Sequence, residues 1–143
     1  MEVSPTFPVA KHSSYDKLND AVCRAKRLSY MAKGRWPKGF DCWGLMLFLL
    51  QEGFNIVWPD VETATPDVIR GYHCLVKQMR LSNARPGDLI MFPEMPHGEL
   101  HCGMILEEAR FIHCTENGVS EQSLSRQPFN RMEKQILRPV PLL

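Results

Sequence analysis

Gly39-Phe40-Asp41-Cys42-Trp43-Gly44-Leu45-Met46-Leu47-Phe48-Leu49-Leu50-Gln51-Glu52-Gly53 is the segment on which the fold turns. Asp41 is a helix-capping residue, and Leu45 to Leu50 are apolar nearly all round until Gly53 stops the run. A helix of that kind is buried on several sides, so it is expected to be the central helix of the domain. Cys42 then falls in its first turn, where the positive end of the helix dipole and backbone N–H groups without intrahelical acceptors stabilise a thiolate. Taken alone, a cysteine there is more often a packing residue than a nucleophile.

Upstream, Leu18, Ala21, Val22, Ala25, Leu28 and Ala32 recur at helical spacing from a cap at Ser13 or Ser14, predicting an amphipathic helix that ends by Gly34, with Cys23 beside its apolar stripe as a structural residue. Gly34-Arg35-Trp36-Pro37-Lys38-Gly39 makes a turn-rich lead-in to the central helix. Downstream, Thr65-Pro66-Asp67 carries a cap, a proline at the first helical position and an acid in the first turn; with Val68, Ile69, Tyr72, Leu75, Val76 and Met79 it predicts a third helix running to about Arg80. After Asn83-Ala84-Arg85-Pro86-Gly87 the character changes. Short apolar runs at 88–92, 101–106, 111–114 and 133–140 read as antiparallel strands. Helices first and strands afterwards imply an α+β domain with the helices on one face of a meandering sheet. At 143 residues, 44% of them hydrophobic, the chain is one domain with a core at about 13–140 and tails outside it.

The net charge of +1 excludes a general nucleic-acid or membrane-surface binder, although residues 1–40 hold eight basic and three acidic side chains and offer one surface for an acidic partner. No run reaches the roughly 18 apolar residues of a membrane span, so no membrane insertion is expected. The beginning lacks the basic-then-apolar layout of a secretion leader, so the chain is expected to be made in the cytosol. Five cysteines without a CxxC pair signal neither a disulfide framework nor a zinc knuckle.

A thiol nucleophile needs a base, and the base needs an orienting group. His12, His73 and His97 fall in a tail, a predicted helix and a loop; His101 and His113 open and nearly close neighbouring strands. Whether they share a face depends on the hairpin. A three-residue connection Glu108-Ala109-Arg110 sets Ile105 opposite His113 and puts both histidines on one face, whereas a two-residue connection separates them. The dipeptides His101-Cys102 and His113-Cys114 also raise a zinc site, but adjacent strand residues point to opposite faces, which ranks it below a thiol–imidazole pair and leaves Cys102 and Cys114 as core residues.

Four blocks in order, Gly39-Phe40-Asp41-Cys42-Trp43-Gly44-Leu45, Arg85-Pro86-Gly87-Asp88-Leu89-Ile90-Met91-Phe92, His101-Cys102-Gly103-Met104-Ile105-Leu106 and Phe111-Ile112-His113, resemble the Asp-Cys-Ser-Gly-Leu-Val, Pro-Gly-Asp-Leu, His-Val-Gly-Ile and Phe-Ile-His blocks of the NlpC-type, papain-like cysteine peptidases that cut peptidoglycan stem peptides. They span about Tyr30 to Val119. The resemblance implies Cys42 as nucleophile, His101 as general base and His113 as its orienting residue. It also implies Tyr30, twelve residues before Cys42, at an oxyanion or substrate site together with Asp41 and Trp43, although the family's Gly-Pro before that tyrosine is Leu28-Ser29 here. The implied chemistry needs no metal or cofactor, and the implied substrate is a stem-peptide amide, commonly the one following D-glutamate. Trp43 in place of the family's serine, and the His-Cys-Gly at His101, resemble phage-tail and gene-transfer-agent members. They imply a virion tail-tip enzyme with tail-hub or tail-tip partners, delivered to the cell wall during genome entry. Two other classes compete: a tail-tip structural or assembly protein that keeps the fold without catalysis, and a zinc-binding module.

Overall fold

A computed structural model describes residues 15–60, 75–93 and 101–143. Among the described residues two helices pack on one face of a six-stranded antiparallel sheet, as an α+β reading requires. Helix α1 (Asp16–Ala25) buries Leu18, Ala21, Val22 and Ala25. Helix α2 (Cys42–Phe54) is the central one: Asp41 caps it by accepting from the Gly44 N–H at 2.7 Å, and Asn55 closes it in the left-handed conformation. The two helices approach closely at Gly53, where an added Cβ would lie 3.2 Å from Leu18 Cα.

The strands are β1 (Val76–Met79), β2 (Leu89–Phe92), β3 (His101–Leu106), β4 (Arg110–Thr115), β5 (Gly118–Ser123) and β6 (Gln135–Pro139), in spatial order β1-β6-β2-β3-β4-β5. One core lies between helices and sheet, built on Leu45, Met46, Leu49, Leu89, Met91, Cys102, Met104, Ile112 and Cys114. A second, of Ile90, Phe92, Ile105, Phe111, Phe129 and Ile136, covers the opposite face. Strand β2 is therefore buried on both sides. Its entry is fixed by Asp88, fully buried, whose carboxylate accepts from Arg138 Nε at 2.8 Å and Nη2 at 2.9 Å and from the Arg85 N–H at 2.9 Å. A buried bidentate ion pair of this kind is costly to break from one side only.

Three expectations are corrected. The third helix fails where it is described: Val76–Met79 is an edge strand paired with β6, Val76 opposite Pro139 and Met79 opposite Ile136. Val76 and Met79 suit a helix stripe as well as an edge strand, and the backbone pairing decides between them; Thr65 to Cys74 lie outside the described residues. The first helix ends at Ala25 rather than near Gly34, because Ser29 to Met31 are drawn out to pair with Phe40: the Phe40 N–H donates to Ser29 O at 3.2 Å and the Met31 N–H to Phe40 O at 2.9 Å. Leu28 still packs on the core, Cys23 is exposed, and the proposed caps Ser13 and Ser14 lie outside the described residues. Strand β5 was not foreseen. Among the described residues no helix is long and apolar enough to cross a membrane.

Candidate active site

The segment before α2 sets the position of Cys42. Phe40 is fully buried and bridged to Tyr30, and the Cys114 thiol donates to Phe40 O at 3.3 Å, tying the approach to Cys42 to β4. Arg35 donates through Nη1 to Gly34 O at 2.7 Å and to Asp41 Oδ1 at 2.9 Å, and its Nη2 reaches Asp60 Oδ1 at 2.8 Å. One carboxylate oxygen of Asp41 thus serves both the helix cap and an ion pair. Gly44 permits this close fold, since a Cβ there would sit 2.1 Å from Gly34 O.

At the start of α2 the half-buried Cys42 packs against the core that holds Cys102. The influence of Cys102, opposed by burial and assisted by that of His101, brings the Cys42 pKa from 9.0 down to about 5. Asp41 works the other way. Cys102 is pushed up by Cys42 and by burial, and burial first, then the charge of Cys42, raises Cys114 to about 11. Of the three thiols, Cys42 is the one held as thiolate at neutral pH.

The hairpin joining β3 to β4 turns through Glu107-Glu108-Ala109, with Glu108 and Ala109 both at positive φ. Gly103 faces His113 and Ile105 faces Phe111, a register two residues away from the expected one. A shift of two preserves the face, so His101 and His113 do lie together. His101 Nε2 is 2.7 Å from His113 Nδ1. Gly103 makes room for this diagonal contact, because a Cβ there would meet Ile112 O at 2.7 Å and His113 Cβ at 3.4 Å. Phe92 stacks on His101, and Phe111 and Phe129 meet His113 edge-to-face. In this apolar cage burial, and then the charge of His101, lower the His113 pKa from 6.5 to about 4, so His113 is neutral at pH 7.

The family model of the NlpC/P60 family matches residues 27–138. The chain belongs to the NlpC/P60 family. Solved structures share the architecture. The NlpC/p60 domain of peptidoglycan hydrolase SagA aligns at 19% identity over 84% of this chain and 95% of that one, with a TM-score of 0.61. An NlpC/P60 family protein from Bacillus cereus aligns at 23% identity over 87% of this chain and 39% of that one, with a TM-score of 0.66. RipD from Mycobacterium tuberculosis, a non-catalytic NlpC/p60 domain protein adapted to peptidoglycan binding, aligns at 15% identity over 87% of this chain and 96% of that one, with a TM-score of 0.62. At these identities the likeness is one of fold.

Within this NlpC/P60 fold the residues named from sequence do not all face the same way. His101 and His113 meet at 2.7 Å, and Cys42 stands in the first turn of α2, its pKa lowered in part by His101. Tyr30, 40% exposed, is held beside the lead-in by its bridge to Phe40. Trp43 is 2% exposed and packs edge-on to Trp58, so its side chain offers a substrate no surface; the first-turn N–H groups of Cys42 and Trp43 are what that end of the helix presents. Asp41 is committed to cap and ion pair. Cys102 and Cys114 pack on the helix face while His101 and His113 face the second core, and among the described residues no group of three or more His, Cys, Asp or Glu is placed to hold a metal. His97 lies outside the described residues. One contributor was not foreseen: Arg35, seven residues before Cys42, stands in a stretch whose sequence reads only as a turn, whereas Cys102 packs in the core as expected.

Proposed function

We propose that the protein is a cysteine peptidase hydrolysing amide bonds of peptidoglycan stem peptides, working as a tail-associated cell-wall endopeptidase of a phage-type particle. The observation that carries the chemistry is the pairing of His101 with buried, neutral His113 at 2.7 Å, together with a Cys42 in the first turn of α2 whose pKa is brought down to about 5. His101 takes the Cys42 proton and the thiolate sulfur attacks the amide carbonyl carbon. The developing oxyanion meets first-turn N–H groups of α2, with Tyr30 beside the lead-in as a further substrate contact. His101, now an imidazolium, donates through Nε2 to His113 Nδ1 and returns its other proton to the leaving amine; water then attacks the thioester and restores the thiol. That sequence requires the His113 proton on Nε2, which its burial among phenylalanines tolerates only because the ring stays neutral.

Placement on a tail tip, with hub or tip proteins as partners, is supported by Trp43 after the nucleophile and by His101-Cys102-Gly103, which resemble that branch of the family. The test is incubation with purified stem peptides and mass-spectrometric detection of new fragments. Cleavage by the wild type, absent in Cys42→Ala and in His101→Ala with folding cooperative in both, is expected. No cleavage by the wild type, or equal cleavage by Cys42→Ala, would sink the enzyme reading and leave a structural tail component.

A further inference from the structure

On the far side of α2 from Cys42 a tryptophan lies open to solvent. Phe48 stacks on the Trp36 ring at 4.6 Å, and Phe40 and the Arg24 guanidinium both stand nearer Phe48, at 5.3 Å each, than Trp36, at 6.3 and 6.0 Å. All three neighbours are therefore on one side of the indole. The opposite face is free of them, and Trp36 stays 45% exposed. A packed backing of this kind holds the ring in place, so that a ligand meeting it costs little side-chain entropy.

Trp36 is one wall of a cavity of about 320 Å³, inside the range of small-ligand sites, roughly 300–1,000 Å³. Its floor is α2 at Gly44, Leu47, Phe48 and Gln51, a helical spacing that sets it about half a turn around the helix from Cys42. Half-buried Leu47 and exposed Val57 add apolar surface. Two hydrogen-bonding groups of the lining are unused: the Gln51 side chain makes no hydrogen bond among the described residues, and the Nε1–H of buried Trp58 has no partner among them. The charges of the lining are already paired, Asp60 with Arg35 at 2.8 Å and Glu52 with Arg24 at 3.1 Å, so the cavity selects neither an anion nor a cation.

An open indole face, unused hydrogen-bonding groups and paired charges suit an uncharged sugar. The C–H bonds on one face of a pyranose meet the negative face of the aromatic ring, while hydroxyl and acetamido groups take the hydrogen bonds. We propose that this cavity binds the glycan strand of peptidoglycan, with an N-acetylhexosamine unit stacked on Trp36 and a hydroxyl or acetamido group held by Gln51. It is a binding site separate from the one at Cys42. The choice of peptidoglycan as the source rests on the proposed cell-wall substrate; the sugar chemistry rests on the cavity.

The test is titration of the native full chain with chitotetraose, an uncharged N-acetylglucosamine oligomer without stem peptide, followed through the indole Nε1–H signals in nitrogen–proton correlation spectra. Saturable binding that moves the Trp36 signal is expected, weakened about tenfold in Trp36→Ala and about fivefold in Gln51→Ala, both checked for cooperative unfolding. Gln51 is exposed on the surface of α2, so its variant reads the cavity even where Trp36→Ala loosens the packing on Phe48. Maltotetraose, which lacks the acetamido groups, should bind more weakly. No saturable binding, binding at wild-type strength in either variant, or equal binding of maltotetraose overturns the proposal. Sugar binding without stem-peptide cleavage sinks only the enzyme reading, and cleavage without sugar binding sinks only this one.

Discussion

Acidification from pH 7 to pH 4 should remove about 3 kcal/mol of stability through His113 alone. The ring is 3% exposed, its Nε2 has no hydrogen-bond partner among the described residues, and burial followed by the charge of His101 takes its pKa from 6.5 to about 4. The folded-state value lies below the unfolded one, so between them the unfolded chain binds the proton and the native state does not. His113 therefore costs no stability above about pH 6.5; as the pH falls it costs ~1.4 kcal/mol per unit until about pH 4, where the loss levels off near 3 kcal/mol. The assay is urea unfolding at pH 7, 6, 5 and 4 beside His113→Asn, which keeps a polar partner for His101 and does not titrate. Carboxylate effects are common to both proteins and cancel in the difference. Wild-type stability minus variant stability should fall by about 3 kcal/mol across that range. Parallel pH profiles would refute the reasoning, since they would mean that His113 is charged or hydrated in the native state.

Arg138→Met strips the partner from fully buried Asp88 and should cost about 3–5 kcal/mol in chemical unfolding, part of it recovered when Asp88→Leu is added. Gly44→Ala drives a Cβ toward Gly34 O and should cost about 3 kcal/mol, with loss of Cys42 reactivity as the start of α2 shifts. Arg35→Ala leaves the Asp41 charge unneutralised beside the thiolate; a rise of roughly 0.5–1 unit in the Cys42 pKa is expected, read by alkylation rate against pH.

What could be read from sequence were the features that act locally. The Asp41 cap, the all-round apolar α2 and the Pro86-Gly87-Asp88 turn into β2 announce themselves in a few residues, and the alternation around His101 and His113 placed both on neighbouring strands. The edge strands did not announce themselves. Val76–Met79 has helix-compatible spacing, and Gly118–Ser123 has one large apolar residue, Val119; backbone pairing to β6 and β4 makes each a strand. At the site, the place of Cys42 in the first turn of α2 and the shared face of His101 and His113 were legible, because a cap and a strand alternation are local features. The buried packing of Trp43 edge-on to Trp58 depends on how distant segments meet, which no local pattern encodes.

The central claim is that Cys42 is an activated nucleophile governed by His101. Alkylation of the native protein with a small thiol reagent across pH, followed by peptide mapping, tests it most directly. Selective modification of Cys42 is expected with a midpoint near pH 5, far below the ~8.5 of an ordinary thiol, and moved upward in His101→Ala. A Cys42 that stays inert until the protein unfolds, or a midpoint unchanged in His101→Ala, would contradict it.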